Sequence, residues 1–233
     1  MIELKMTDYW KDHYDGNAER FADSPLKQVD RTINGSEMNA DQLQLTIDSV
    51  RDVLQLARTD RIVDLCCGNG LITHALAPDV HTAIGVDFSD KLIENAKRLN
   101  TVPNLTYRVG DVAELEPSFY AGTDKVYMRD SVSCLDSQSL FRVLTTLKAA
   151  SSVGSIFIAG VPDADKLAVY YDDDRKMSYY RERQAAGKPH IGNWWSRAEM
   201  KGLVEKAGLR VRIVDQDPAL ASAFYRYDCF IER

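Results

Sequence analysis

The sequence predicts an α/β fold: a doubly wound, mostly parallel sheet of seven strands in a single domain, with a helical cap in front and an insertion ahead of the last helix. Three observations carry this. Apolar runs alternate with amphipathic helical segments from residue 39 onward. Runs such as "TAIGVD" and "SIFIAGV" lack in/out alternation, as expected of strands covered by helices on both faces. The chain of 233 residues, 45% apolar and 27% charged, has no Gly/Ser-rich or Pro-rich linker and suits one substantial core.

Residues 1–38 are polar and aromatic ("DYWKDHYDGNAERF") without clean periodicity, and read as a cap of a short helix or two ending in a loop at "NGSEMN". The core, 39–162, opens with a helix capped by Asn39, with Gln42 three residues on and Leu43, Ile47, Val50 and Leu54 on one face. The strand "VDL" follows, then the helix "LITHALA" and the strand "TAIGVD". Ser89 caps a helix whose inner face is Leu92, Ile93, Ala96 and Leu99. After the strands "LTYRVG" and "DKVYM", Asp136 caps a helix carrying Leu140, Val143, Leu144 and Leu147, and "SIFIAGV" runs to a stop at Pro162. Residues 163–193, charged and tyrosine-rich, are too long for a simple connection and read as a lid. In 194–233, Ser196 and Glu199 form a capping box, Met200, Leu203, Val204 and Ala207 face inward, Gly208 ends the helix, and "RVRIVD" and "FYRYDCFIE" are strands.

Charge and cysteines narrow the function. A net charge of −6 argues against broad attraction to phosphate backbones, so nucleic acid is not an expected partner. No apolar stretch approaches the roughly 20 residues of a membrane helix, and "MIELKMTDYWKD" lacks the basic start and apolar core of a signal peptide, so neither a membrane nor secretion is expected and the cytoplasm is the default. Cys66, Cys67, Cys134 and Cys229 show no CxxC spacing, and the adjacent pair is too strained to bridge. Small buried hydrophobes are the simplest reading, and no metal is expected.

In a doubly wound sheet the ligand sits beyond the carboxyl ends of the strands, where the first strand turns into its helix. That turn is Cys66 to Gly70. Gly68 and Gly70 are followed by Thr73 where a third glycine would complete a dinucleotide fingerprint, and no Gly-Lys-Ser/Thr follows for a Walker loop. Asp64 adds a carboxylate that would repel a pyrophosphate and suits a ligand with positive charge. Asp87 ends the second strand, where a carboxylate accepts hydrogen bonds from ribose hydroxyls, and Asp111 ends the third. Three acids thus stand at the ends of three successive strands. A strand-end Asp is also often only a turn or helix cap.

The ordered set D-L-C-C-G-N-G, V-D-F-S and G-D-V resembles the class I S-adenosylmethionine-dependent methyltransferases, from about residue 39 to the C-terminus. The resemblance implies their Rossmann-like fold, with S-adenosylmethionine as cofactor and S-adenosylhomocysteine as product. It implies that the amides of the Cys66–Gly68–Asn69–Gly70 loop and Asp64 hold the amino-acid end, that Asp87 binds the ribose, and that Phe88 packs on the adenine. Asp111 and the backbone of Val112 would read the adenine edge. Arg129 would line the inner side beside the methyl group, with a surface ion pair as its alternative. Cys66 stands where the family has its first glycine, which is tolerated provided its φ stays negative.

Methyl transfer from a sulfonium needs alignment and exclusion of water; a hydroxyl acceptor needs a general base as well. His190, at the lid's return, ranks first and His13, in the cap, second, with Asp130 and the lid tyrosines behind; His74 and His81 read as structural. Tyr170, Tyr171, Tyr179, Tyr180, Trp194, Trp195 and Tyr225 would build the acceptor pocket, although one tryptophan could serve the core instead. Arg31 and Arg226 would meet an acidic group on the substrate. "MRDS" stands where base-amino methyltransferases have N/D-P-P-aromatic, and "DVAELEPSFY" lacks the double-Glu loop of protein-arginine methyltransferases. A small-molecule acceptor is therefore expected, methylated on oxygen, such as a sugar or natural-product precursor. The alternatives are a small amine acceptor, a regulator that binds the cofactor without turnover, and a nicotinamide-dependent reductase.

Overall fold

The computed structural model describes residues 6–33 and 35–233. Residues 1–5 of the expected cap and Asn34 of its expected loop lie outside the described residues. In chain order, α1 (Met6–Arg20), α2 (Pro25–Gln28) and a small hairpin of β1 (Thr32–Ile33) and β2 (Ser36–Glu37) precede α3 (Ala40–Val53), β3 (Arg61–Leu65), α4 (Leu71–Leu76), β4 (Thr82–Asp87), α5 (Asp90–Leu99) and β5 (Leu105–Val109). Then come β6 (Lys125–Arg129), α6 (Ser137–Ala149), β7 (Ser155–Pro162), α7 (Leu167–Tyr170), α8 (Asp174–Ala185), α9 (Arg197–Lys206), β8 (Arg210–Asp215) and β9 (Arg226–Glu232). No described helix is long and apolar enough to cross a membrane.

The seven-stranded sheet has the order β5-β4-β3-β6-β7-β9-β8, and β9 alone runs against its neighbours. Successive side chains of a strand point to opposite faces. Val63 and Leu65 therefore pack with Val126, Met128, Ile156 and Ile158 beneath α6 and α9, while Ile62 joins Ala83 and Phe157 beneath α3, α4 and α5. Burying such a Val, Leu or Ile contributes about 1.5–3 kcal/mol each relative to exposure, which is why parallel strands in this sheet are apolar almost throughout.

Topology fixes where a ligand fits. The chain runs β3→β4→β5 to one side and returns through β6 on the other side of β3. The order reverses at β3, so a crevice opens at the carboxyl ends of β3, β4 and β6. Asp64, Asp87 and Arg129 sit at those ends.

The helix starts expected from the sequence are present: the side chains of Asn39, Ser89, Asp136 and Ser196 accept from the N–H groups of Gln42, Leu92, Ser139 and Glu199. Three local readings change. Leu99, the last residue of α5, is exposed. Around the expected loop Thr32 pairs with Glu37 and Ile33 with Ser36, so the described residues there form two short antiparallel strands. Gln42 does not complete a capping box, since its side chain bonds Ala219 O and Ala221 N instead.

Candidate active site

Two clefts meet above the crevice. The inner one, about 640 Å³ counted to its open mouth, is walled by Asp64, Cys66, Gly68, Asn69, Asp87 and Phe88 from the sheet, and by Tyr14, Val29 and Arg31 from the cap. The outer one, about 1540 Å³, lies between the cap and the lid. Arg31, Arg129 and Asp130 line both.

The loop after β3 is built for close approach. Gly68 has φ +57°, and a Cβ there would come within 2.7 Å of Val29 Cγ1, so the cap presses directly on the backbone. Asn69 bolts the two together: its amide donates to Pro25 O at 2.8 Å and Gln28 Oε1 at 3.0 Å. The Asn69 Oδ1, fully buried, has no donor among the described residues. Cys66 departs from expectation. Its φ is +61°, the left-handed region, so it does occupy the conformation that favours glycine. Burial pushes the thiols of Cys66 and Cys67 well above their ordinary pKa and keeps them protonated. Cys66→Gly should relieve roughly 1–2 kcal/mol of left-handed strain against ~0.5–1 kcal/mol of added chain freedom, leaving the melting temperature nearly unchanged. Cys66→Val, branched at a positive φ, should lower it in a thermal melt, by roughly 2–4 °C for each kcal/mol of added strain.

Both strand-end acids in this cleft are buried without an ion pair among the described residues. Asp64, 3% exposed, accepts from Thr73 Oγ1 at 2.5 Å and Tyr127 Oη at 2.7 Å. Burial raises its pKa to about 7 despite those two donors. Asp87 accepts from the Gly68 and Ser89 N–H groups, each at 2.9 Å, and burial still raises it to about 6. Two desolvated carboxyls lining one cleft fit a ligand that brings positive charge and hydroxyl or ammonium donors. Asp111, by contrast, caps the turn at 112–114 by accepting from Ala113 N–H, and neither it nor Val112 nor Gly70 lines the cleft.

Arg129 is no surface residue: its side chain is 2% exposed, with Nε 3.4 Å from Asp130 Oδ2 and Nη1 4.0 Å from Asp228 Oδ2. Arg31 Nη1 and Arg226 Nη1 each reach an Asp130 oxygen at 3.0 Å. Burial alone would raise the Asp130 pKa, but the guanidiniums of Arg129, Arg226 and Arg31 outweigh it and hold the carboxyl well below the usual range. Asp130 is therefore a poor base.

Both foremost histidines line the outer cleft. His13 Nε2 lies 2.7 Å from Asp30 Oδ2, whose other oxygen accepts from Asn17. His190 stands at the exposed rim with Nδ1 3.2 Å from Tyr171 Oη; burial of its ring and the nearby Arg183 charge lower its pKa. His74 and His81 line neither cleft. Tyr170, Tyr179 and Tyr225 line the outer cleft, whereas Trp194 and Trp195 do not. Trp195 is 4% exposed within the core under α9, and Trp194 packs behind the wall against Tyr170, Tyr171 and Tyr225. Sequence reasoning missed Tyr14, Val29, Ser131 and Cys134 in the inner wall. The aromatic run in the cap was the one available signal, and it did not say over which loop the cap folds.

Comparison with known proteins agrees with this architecture. A family model described as "Methyltransferase domain" matches residues 62–152. An uncharacterized RNA methyltransferase of Clostridium tetani is 30% identical over 69 residues, covering 28% of this chain and 15% of that protein, so the chain spans a small part of that relative's length. Magnesium protoporphyrin IX methyltransferase (ChlM) from Synechocystis PCC 6803 with bound SAM superposes with a TM-score of 0.65 at 15% identity, over 100% of this chain and 99% of that one. A DhpI–SAH complex superposes with a TM-score of 0.66 at 12% identity, over 97% of this chain and 96% of that one. At such identities the two superpositions speak for the fold.

Proposed function

We propose that this chain, whose residues 62–152 match the methyltransferase-domain family model, is a class I S-adenosylmethionine-dependent enzyme that methylates a small-molecule acceptor, on oxygen, in the outer cleft. The observation that carries the reading is the pair of buried, unpaired carboxyls, Asp64 and Asp87, at adjacent strand ends around one glycine loop. Bound there, S-adenosylmethionine supplies an electrophilic methyl on a sulfonium, open to in-line displacement. Asp64, oriented by Thr73 and Tyr127, holds the cationic amino-acid end; Asp87 accepts from the ribose hydroxyls while keeping Gly68 in place. Phe88, with Tyr14 at a ring distance of 6.3 Å, flanks the base. Asp111 and Val112 meet its far edge only if the turn at 112–114 moves toward the cleft.

Cap and lid exclude water from the outer cleft. His13, oriented by Asp30, is placed to take a proton from an acceptor hydroxyl, in the way a carboxylate orients a base in hydrolytic triads. A sugar or natural-product precursor suits the tyrosine wall. The RNA methyltransferase named above matches 28% of this chain, and the net charge of −6 gives no support to an RNA acceptor.

The test is a thermal-shift scan with S-adenosylmethionine, S-adenosylhomocysteine and NADH, followed by release of S-adenosylhomocysteine with a metabolite library and with RNA. Stabilisation by both sulfur nucleosides and turnover on a metabolite support the reading. A shift with NADH alone refutes it; binding without turnover on any acceptor makes the chain a regulator.

A pH dependence follows from the two acids. A cationic ligand favours their ionised forms, so binding should expel protons wherever they are protonated in the free protein. With folded pKa values of about 7 for Asp64 and about 6 for Asp87, affinity should be full above pH 8 and fall as pH drops through 7 to 5. Titration calorimetry in buffers of different ionisation enthalpy should record net proton release near pH 6.5. In the free protein these raised pKa values act oppositely: their contribution favours folding at about pH 5 and is lost as pH rises through 7. The stabilisation gained from cofactor should therefore be larger at pH 8 than at pH 5.5.

A further inference from the structure

We propose that the acceptor is an acid, whose oxyanion is bound by Arg31, Arg129 and Arg226 where the two clefts meet. The inference rests on the reading of the inner cleft as the cofactor site and adds the substrate class.

Three guanidiniums converge here with side chains 10%, 2% and 12% exposed, and among the described residues two carboxylates, Asp130 and Asp228, lie within ion-pair distance of them. Asp130 is shared among all three arginines. Asp228 already accepts from Gly160 N–H and Gln216 Nε2, both at 2.8 Å, and stands 4.0 Å from Arg129. Counted over these ion-paired groups the cluster is one positive charge in excess, and the buried Nε and Nη1 of Arg129 and Nε of Arg226 have no hydrogen-bond partner among the described residues. Leaving buried charged donors unpaired costs several kcal/mol in general, and a native cluster tolerates that where an incoming group completes it.

Placement says from which side that group comes. Arg129 lines both clefts and Arg226 the outer one. The site is also sterically prepared: Gly160 has φ +72°, and a Cβ there would collide with the Asp130 carboxylate. Tyr170, Tyr179, Phe224 and Tyr225 continue the outer wall from the arginine end, with Tyr170 and Phe224 stacked at 6.1 Å. The fitting ligand has a flat or apolar body along this wall and a carboxylate or phosphate at its head. The same anion would add to Asp130 in offsetting the sulfonium charge that the arginines face.

The test is titration calorimetry on the full chain saturated with S-adenosylhomocysteine. Aromatic and aliphatic carboxylates, and the corresponding phosphates, are each compared with the matched neutral amide or alcohol and with the matched amine. The expected result is binding of members of the carboxylate or phosphate arm at least tenfold tighter than their neutral counterparts, with the arm that wins identifying the head group. Arg226→Gln should reduce that preference by about 30-fold or more, with S-adenosylhomocysteine binding in the same cell reporting that the variant is folded. Neutral compounds or amines binding as tightly as acids, no acid binding at all, or an acid preference that survives Arg226→Gln would overturn the inference. Failure of S-adenosylhomocysteine itself to bind the wild-type chain would instead strike the cofactor reading.

Discussion

Asp87→Ala is expected to weaken binding of S-adenosylhomocysteine by about 100-fold or more, the largest single loss of cofactor affinity in the site. A hydrogen bond to a charged group is worth about 1.5–3 kcal/mol, and two ribose hydroxyls meet this one carboxylate, so about 3 kcal/mol is a lower bound; each 1.4 kcal/mol is a factor of ten. The truncation also strands the N–H groups of Gly68 and Ser89, which both point at Asp87 from 2.9 Å. The melting temperature should therefore fall as well. Asp87→Asn, which keeps one acceptor oxygen, separates the two effects: most of the stability should return, while affinity recovers only in part. Calorimetry with S-adenosylhomocysteine, paired with thermal melts of both variants, reads the split.

His13→Ala should lower turnover by about 100- to 1,000-fold, the usual range for loss of a positioned general base, with cofactor affinity altered less than threefold. His13 holds a carboxylate partner at 2.7 Å, and that partner is itself fixed by Asn17. His190, at the rim, has a tyrosine hydroxyl as its one hydrogen-bond partner among the described residues. Position along the chain ranked His190 ahead of His13; the carboxylate partner reverses the order in this proposal. His190→Ala should therefore cost less than tenfold in turnover, and Asp30→Asn should reproduce much of the His13→Ala loss. Single-turnover rates with a library hit as acceptor check all three. A His190→Ala loss exceeding that of His13→Ala would return the base to the lid.

The sheet was legible because its signals are local and chemically distinct. "TAIGVD" is a strand over the same residues, Thr82–Asp87, and Asn39, Ser89, Asp136 and Ser196 cap the helices they announce. The acids at strand ends were legible for the same reason, since the strand boundary fixes where their side chains emerge. Contacts made across the fold were not. Nothing near Val29 in sequence says that it presses on Gly68. The pair Trp194–Trp195 divides between wall backing and core because α9 starts immediately after it, at Arg197. The left-handed φ of Cys66 is imposed by the turn from β3 into α4, and a cysteine gives no local sign of it. The three-arginine cluster brings together residues 31, 129 and 226 through the cap, β6 and β9, so only two of them stood out as possible anion contacts in the sequence.

The most direct measurement is a crystal structure of the chain with S-adenosylhomocysteine. The account predicts a ribose within hydrogen-bond distance of Asp87, the amino-acid end beside Asp64 and the glycine loop, and the sulfur facing Arg129 and the outer cleft. Density for the nucleoside in another place, or with Asp64 and Asp87 both out of its reach, would contradict it.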